Sequence, residues 1–190
     1  IDDSLTRLRT DRIDLWQIHR PDVLTHPQEI ARTIENAHKA GKIRAFGVSN
    51  FTQAQISTLA QFSAVPIVST QPELSPLRID IVENGELDQA IAMNLAVLAW
   101  SPLGGGRLGD PQNAREQNVA AALSAVATTH GVSRTAAAYS WIMAHPARPI
   151  PIVGSQNPAR IAEAADAFKI QWTRADWYSV LVAARGVPLP

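Results

Sequence analysis

The chain has 190 residues, of which 46% are hydrophobic and 18% charged. That is the composition of a globular protein and too apolar for a disordered one. Lys plus Arg and Asp plus Glu each number 17, so the formal net charge is zero and no electrostatic reason favours nucleic acid or an anionic membrane as partner. Cysteine is absent, which excludes disulfides and thiolate chemistry and fits a reducing, cytoplasmic compartment. No apolar run reaches membrane-spanning length.

The N-terminus, IDDSLTRLRTD, is acidic and has no apolar core, so it does not read as a signal peptide. It lacks an initiator Met and reads as the end of a helix, which leads us to expect a segment upstream. IDLWQI follows as an apolar strand. THPQEIARTIENAHKAGK is a helix: Thr25 and Gln28 have capping-box spacing, Ile30, Ile34 and Ala37 share a face, and Gly41 stops it. IRAFGV is the second strand, and SNFTQAQISTLAQF is a helix with the same capping pattern at Thr52 and Gln55. VPIVST is the third strand, followed by a loop and the helix GELDQAIAMNL. AVLAW is the fourth strand. Two helices come next, AREQNVAAALSAVATTHG and SRTAAAYSWIMAH, the second capped by Ser133. IPIV is the fifth strand. Pro158 then opens NPARIAEAADAF, and TRADWYSVLVAARG closes the pattern. Strands that alternate with helices imply crossover connections and a parallel sheet.

Polar residues gather where the strands end: His19-Arg20-Pro21-Asp22 after the first, Ser49-Asn50 after the second, Gln71 at the third, Ser101 after the fourth, and Gly154-Ser155 after the fifth. In parallel α/β folds that end is where ligands bind. Asn50 and Gln71 each offer a donor and an acceptor together, as a carboxamide does. Trp100 can supply a flat apolar face. GGGRLG can bring backbone N–H groups and the Arg107 charge to phosphate. Ser155 and Arg160 lie around the start of a helix, where an anion is favoured. An Asn or Gln at a strand end is ordinarily a turn residue, and a single Trp is ordinarily core. Only their sum points to a nicotinamide dinucleotide.

GGGRLG, Gly104 to Gly109, also matches G-x-G-x-x-G literally. The Rossmann fingerprint needs its third glycine at a helix start and an acidic residue after the next strand. Asp110-Pro111 follows at once, and position 129 onward reads THGVS with no strand there, so that reading is set aside. The five histidines show no metal-ligand spacing, and G-x-S-x-G is absent.

SLTRLRTDRIDLWQIHRPD, GKIRAFGVSNF, TQPELSPL, LAWSPLGGG and IPIVGSQNPARIAEA, in this order, resemble the aldo-keto reductases, particularly bacterial members with SPLGGGRL. The resemblance runs from about Ser4 to the last helix. It implies an α/β fold, the (β/α)8 TIM barrel, and reduction of aldehydes and ketones with NADPH. His19 matches the histidine that hydrogen-bonds the substrate carbonyl. Ser49, Asn50 and Gln71 match the carboxamide contacts, and Trp100 the ring that stacks on nicotinamide. Ser101, Leu103, Gly104, Gly105 and Arg107 fall in the pyrophosphate strap. Gly154, Ser155, Arg160 and Glu163 fall where the adenosine and its 2′-phosphate are held. Relatives that prefer NADPH often carry a basic residue at the position of Gly154 and Asn at that of Ala164, so the preference rests on Arg160 and NADH stays open.

The family's Asp, Tyr and Lys would come from earlier strands. The expectation is therefore a C-terminal portion of one barrel domain, spanning residues 1–190 and supplying strands four to eight, inactive by itself. The alternative is a truncated, non-catalytic nucleotide-binding or interaction module. A small carbonyl compound is the expected partner, with neither nucleic acid nor membrane, and the sequence leaves the oligomeric state open.

Overall fold

A computed structural model describes residues 1–189. They divide into two units, residues 1–72 with 88–97, and residues 73–87 with 98 onward.

In the first unit the apolar runs become β1 (Ile13–Ile18), β2 (Ile43–Ser49) and β3 (Ile67–Gln71), joined by α2 (Pro27–Lys39) and α3 (Gln53–Phe62). A helical crossover lets consecutive strands lie parallel, and these do. The register sets Gln17 opposite Gly47, Gly47 opposite Ser69, and Ser49 opposite Gln71. The first half of β4 (Ala96–Ala99) continues the ladder, with Ser69 opposite Ala96. Phe46 and Val48 of β2 are fully buried, and α2 covers the sheet with Ala31, Ile34 and Ala37. Ile30 is only half-buried. Within this unit β1 is an edge strand, and Asp14 and Leu15 on it are exposed.

The helix starts show where local chemistry decides. Thr52 and Gln55 form the expected reciprocal capping box on α3. The expected box at Thr25 and Gln28 does not form. Pro27 takes the first helical position, where its missing N–H costs nothing, and this moves the N-cap to His26. The Gln28 N–H then donates to His26 Nδ1 at 3.2 Å, while the Thr25 hydroxyl donates to Asp22 Oδ2 at 2.7 Å.

In the second unit the end of β4 pairs parallel with β5 (Ile150–Pro151), and α6 (Ala114–His130), α7 (Arg134–Met143) and α9 (Arg174–Arg185) pack together. Val119 and Leu123 of α6, Ala137 and Ile142 of α7, and Val180 of α9 form their common core. Trp141 and Trp177 stack at 4.9 Å, and each indole N–H donates to the other residue's carbonyl, at 3.1 and 3.0 Å. The stack thus buries Trp141 against a half-buried Trp177 without orphaning either N–H. Arg115 ties α6 to its neighbours through the carbonyls of Ala184 and Leu77.

Three details differ from the sequence reading. β5 is shorter than IPIV, since Pro151 has no N–H for the ladder, although the Ile152 N–H still reaches the Ala99 carbonyl at 2.9 Å. The helix opened by Pro158 divides into α8 (Pro158–Glu163) and a 3-10 segment (Ala164–Lys169) that turns Ala167 inward and leaves Phe168 exposed. A short helix, α4 (Asp80–Glu83), occupies part of the stretch read as loop, being too short to show a period. No helix among the described residues is long and apolar enough to cross a membrane.

Gly47 is the glycine the sheet cannot exchange. A Cβ there would lie 1.9 Å from Ser69 Oγ and 2.8 Å from the Ser69 carbonyl. Gly47→Ala should destabilise the protein by about 1–3 kcal/mol, the usual cost of forced overpacking. Gly154→Ala, where a Cβ meets nothing within 4 Å, should stay within about 0.5 kcal/mol of the parent. Urea-denaturation midpoints of the two variants check the pair.

Candidate functional site

Side chains alternate across a strand, so the register puts Gln17, Gly47 and Ser69 in one row on one face, with Ser49 and Gln71 two residues further along. His19 follows directly on the end of β1. At the row of Gln17, Gly47 contributes no side chain. Ser69 Oγ therefore reaches across it and donates to Gln17 Oε1 at 3.0 Å, and Gln17 Nε2 donates to Gln71 Oε1 at 2.7 Å.

Ser49 is buried; its hydroxyl donates to the Gln71 carbonyl at 2.8 Å and accepts from Asn50 Nδ2 at 3.1 Å. Asn50 has φ of 60°, a left-handed conformation that Asn tolerates better than most residues. Its Nδ2 also donates to the His19 carbonyl at 3.0 Å, and its N–H donates to the Gln71 carbonyl. The structure thus brings His19, Ser49, Asn50 and Gln71 together. The His19 ring is exposed. The turn behind it is organised by Asp22, whose carboxylate accepts from the Thr25 hydroxyl and the Leu24 N–H and is held below the usual carboxylate range by those bonds in that order.

In the second unit a cleft of about 660 Å³ gathers Ser101, Leu103 and Gly105 from one loop, Gly154 and Ser155 from the segment before α8, and Arg160 and Glu163 from α8 itself. Ser101 holds φ of 53°, an uncommon conformation for a residue with a Cβ, and turns the chain out of β4 into the loop. Ser155 Oγ accepts from the Asn157 N–H, and Asn157 caps α8. Trp100 is half-buried, and its carbonyl accepts from the Leu74 N–H.

Gly104 and Arg107 behave differently from the expectation of a phosphate cradle. Gly104 is buried, and a Cβ on it would lie 2.9 Å from Leu77 Cδ1. It is glycine to allow packing rather than ligand approach. The N–H groups of Gly104, Gly106, Leu108, Gly109 and Asp110 all bond carbonyls within the loop itself. Arg107 Nε donates to the Gly104 carbonyl at 2.7 Å, and its Nη1 lies 3.5 Å from Glu116 Oε1. A charge so engaged orders the loop. The loop opens into α6 only at Asn113, so its third glycine sits outside any helix start.

Sequence reading missed four residues. Gln17 stood out only as an amide inside an apolar strand, and Ser69 as a hydroxyl in another. Tyr139 and Arg134 line the cleft from α7, which the sequence showed only as a helix capped by Ser133. Burial, and then the Glu163 charge, push the Tyr139 phenol up.

In the first unit the donor set fits a carboxamide, and in the second the cleft fits an anionic nucleotide end. Among the described residues the Gln71 Nε2 hydrogens have no protein partner, and a carboxamide oxygen accepts such a donor. The cleft sets Arg160, Arg134 and Ser155 around a space of nucleotide size, although Asp110 and Glu163 also line it. No group of three or more His, Asp or Glu residues that could hold a metal ion occurs among the described residues.

The model of the Aldo/keto reductase family matches residues 1–181. A 6-dehydroglucose reductase of Novosphingobium aromaticivorans is 64% identical over all of this chain, and another, of Agrobacterium fabrum, is 36% identical over 98% of it; the chain spans 62% of the length of each. The solved glycerol dehydrogenase of Gluconobacter oxydans superposes with a TM-score of 0.87 at 30% identity, covering 100% of this chain and 64% of its own.

The Glu116 clasp has a pH signature. Its carboxylate is buried and is held below the ordinary glutamate value, first by the Gln112 N–H at 2.8 Å and against the effect of burial, with Asn113 and Arg107 adding to it. A depressed folded-state pKa stabilises the fold above the unfolded value, about 4.3, and the contribution is lost as pH falls through the folded value. Glu116→Gln should therefore be less stable than the parent at pH 7, and the gap should close as pH drops below about 4.3. Urea midpoints measured from pH 7 to pH 3 check this.

Proposed function

Because the chain belongs to the aldo/keto reductase family, we propose that it forms the coenzyme-binding part of an NADP(H)-dependent carbonyl reductase and that β1 to β5 are strands four to eight of the eight-stranded barrel. The observation that carries this reading is the Gln71 amide, fixed at one end and open at the other, beside Ser49 and Asn50 at neighbouring strand ends. Five consecutive strands in a chain that spans 62% of its relatives' length support the placement in the barrel.

The bound coenzyme supplies the hydride, which is chemistry no side chain here possesses. The chain's own residues orient and stabilise. Gln71 and Asn50 hold the carboxamide and so set which face of the ring meets the substrate. Trp100, in the second unit, offers a flat surface suited to an aromatic ring. The His19 ring donates to the substrate carbonyl oxygen and stabilises the charge that develops there. The proton that completes the alcohol comes from the family's tyrosine on an earlier strand; Tyr139 and Tyr178 stand on α7 and α9. Arg160 and Ser155 hold the 2′-phosphate end, a task suited to a forked guanidinium. The name shared by the relatives at 64% and 36% identity points to an oxidised sugar, a dehydroglucose, as the substrate class.

Steady-state kinetics of the intact protein test the reading. A dehydroglucose should be reduced with a higher kcat/KM than a simple aldehyde of similar size. His19→Ala should lower kcat on the order of 10²–10³. An unchanged kcat on both substrates would return His19 to a structural role.

Arg160→Ala should weaken NADPH by about 1.5–3 kcal/mol, the worth of a charged hydrogen bond, and leave NADH nearly unaffected. Fluorescence titrations with the two coenzymes decide it, and equal weakening would exclude phosphate recognition by Arg160.

A further inference from the structure

Gln71 can meet a ligand in two ways. With Nε2 outward it donates; turned over, it presents Oε1 and accepts. The two forms have nearly the same shape, so packing alone does not choose between them. Something else in the protein must, because the wrong face would set a carbonyl oxygen against the ligand's own acceptor.

The row beneath it makes the choice. Gln17 Nε2 donates to Gln71 Oε1 at 2.7 Å, which occupies the acceptor end of Gln71 and leaves its donor end outward. Gln17 is itself an amide that can turn over, and reversing both would keep a bond between them. Ser69 breaks this symmetry. It is 1% exposed, and its hydroxyl donates to Gln17 Oε1 at 3.0 Å. Were Gln17 reversed, its Nε2 would donate to Ser69 Oγ, and the Ser69 proton would need another acceptor. The described residues give that hydroxyl no other bond. A buried hydroxyl proton without an acceptor carries a desolvation penalty, so the chain of donors runs one way, from Ser69 to Gln17 to Gln71. Gly47 makes the chain possible, because any side chain in its place would stand between Ser69 and Gln17.

We infer that Gln17, directed by Ser69 across Gly47, is a positioning residue that makes Gln71 a hydrogen-bond donor toward the carbonyl oxygen of the bound carboxamide. This deepens the nicotinamide reading and rests on it. Gln17 acts only through Gln71 and needs no contact with coenzyme or substrate.

The test compares the affinities of the intact protein for NADP+ and for its 3-acetylpyridine analogue, which keeps the carbonyl oxygen but has no amide N–H. Binding is read by quenching of tryptophan fluorescence. In the parent both bind through the same Gln71 donor, so the ratio of their dissociation constants is small. In Gln17→Glu the carboxylate accepts from Ser69 and from Gln71 Nε2, so Gln71 turns its Oε1 outward. NADP+ can answer with its amide N–H, whereas the analogue cannot, and the ratio should rise by about tenfold or more, as expected when an acceptor loses its donor. Ser69→Ala, a small substitution that keeps the charge of the site, releases Gln17 to turn over and should raise the ratio in the same direction by a lesser factor. It decides the question if Gln17→Glu does not fold. Gln71→Ala separates the two levels. If it weakens NADP+ while the ratio stays at the parent value in the folded variants, Gln17 has no orienting role and the inference is overturned. If Gln71→Ala leaves both affinities unchanged, Gln71 does not hold the carboxamide and the underlying reading falls with it.

Discussion

The side-chain chain Ser69–Gln17–Gln71 in the first unit depends on one close approach, that of β2 to β3 at Gly47. Within parallel strands the backbone is satisfied by pairing with neighbours, so a polar link across the sheet face falls largely to side chains. Gln17 and Ser69 are separated by a whole strand. They meet only because the residue between them has no Cβ. Once they meet, Ser69 donates to Gln17 and Gln17 to Gln71, and each fixes the next. Low exposure strengthens such a chain and makes any break in it costly.

The same residues explain how a rigid scaffold carries a site. Ser49, Asn50 and Gln71 are the last residues of, or the first beyond, strands whose interiors are held by Phe46, Val48 and Ile67. Sites built where strands end inherit the precision of the sheet, while the loops beyond remain free to vary. The left-handed Asn50 is one such transition: its side chain and its N–H bind both neighbouring strand ends, to His19 and to Gln71.

In the second unit, order in the glycine-rich loop comes from charge and hydrogen bonding instead of from a sheet. A buried carboxylate, Glu116, receives the Gln112 N–H and lies near Arg107, and Arg107 in turn holds the Gly104 carbonyl. A loop with this many glycines has much conformational entropy to lose on ordering. The clasp offsets part of that loss before any ligand arrives, the usual route to tighter binding through preorganisation.

The sequence by itself was enough for the alternation of strands and helices and for the parallel sheet, because hydrophobic period and capping chemistry are local properties that neighbours along the chain determine. Ile34, Ala37, Thr52 and Ser133 act as their spacing indicates. It also sufficed to separate GGGRLG from a dinucleotide fingerprint, since the absence of a strand and acidic residue at the required spacing is visible in one dimension. Where two local signals competed, reading was less secure: Thr25 and His26 both suit an N-cap, and Pro27 decided between them. What only the tertiary structure decided are the partnerships between distant residues. Gln17, Ser69 and Gln71 span 54 positions, and nothing in their order reveals that Gly47 leaves room for them to touch. That the charge of Arg107 lies near the buried Glu116 is likewise visible only in the fold. Register and burial are properties of strands and helices packed against one another, and so they remain unspecified until the chain has folded.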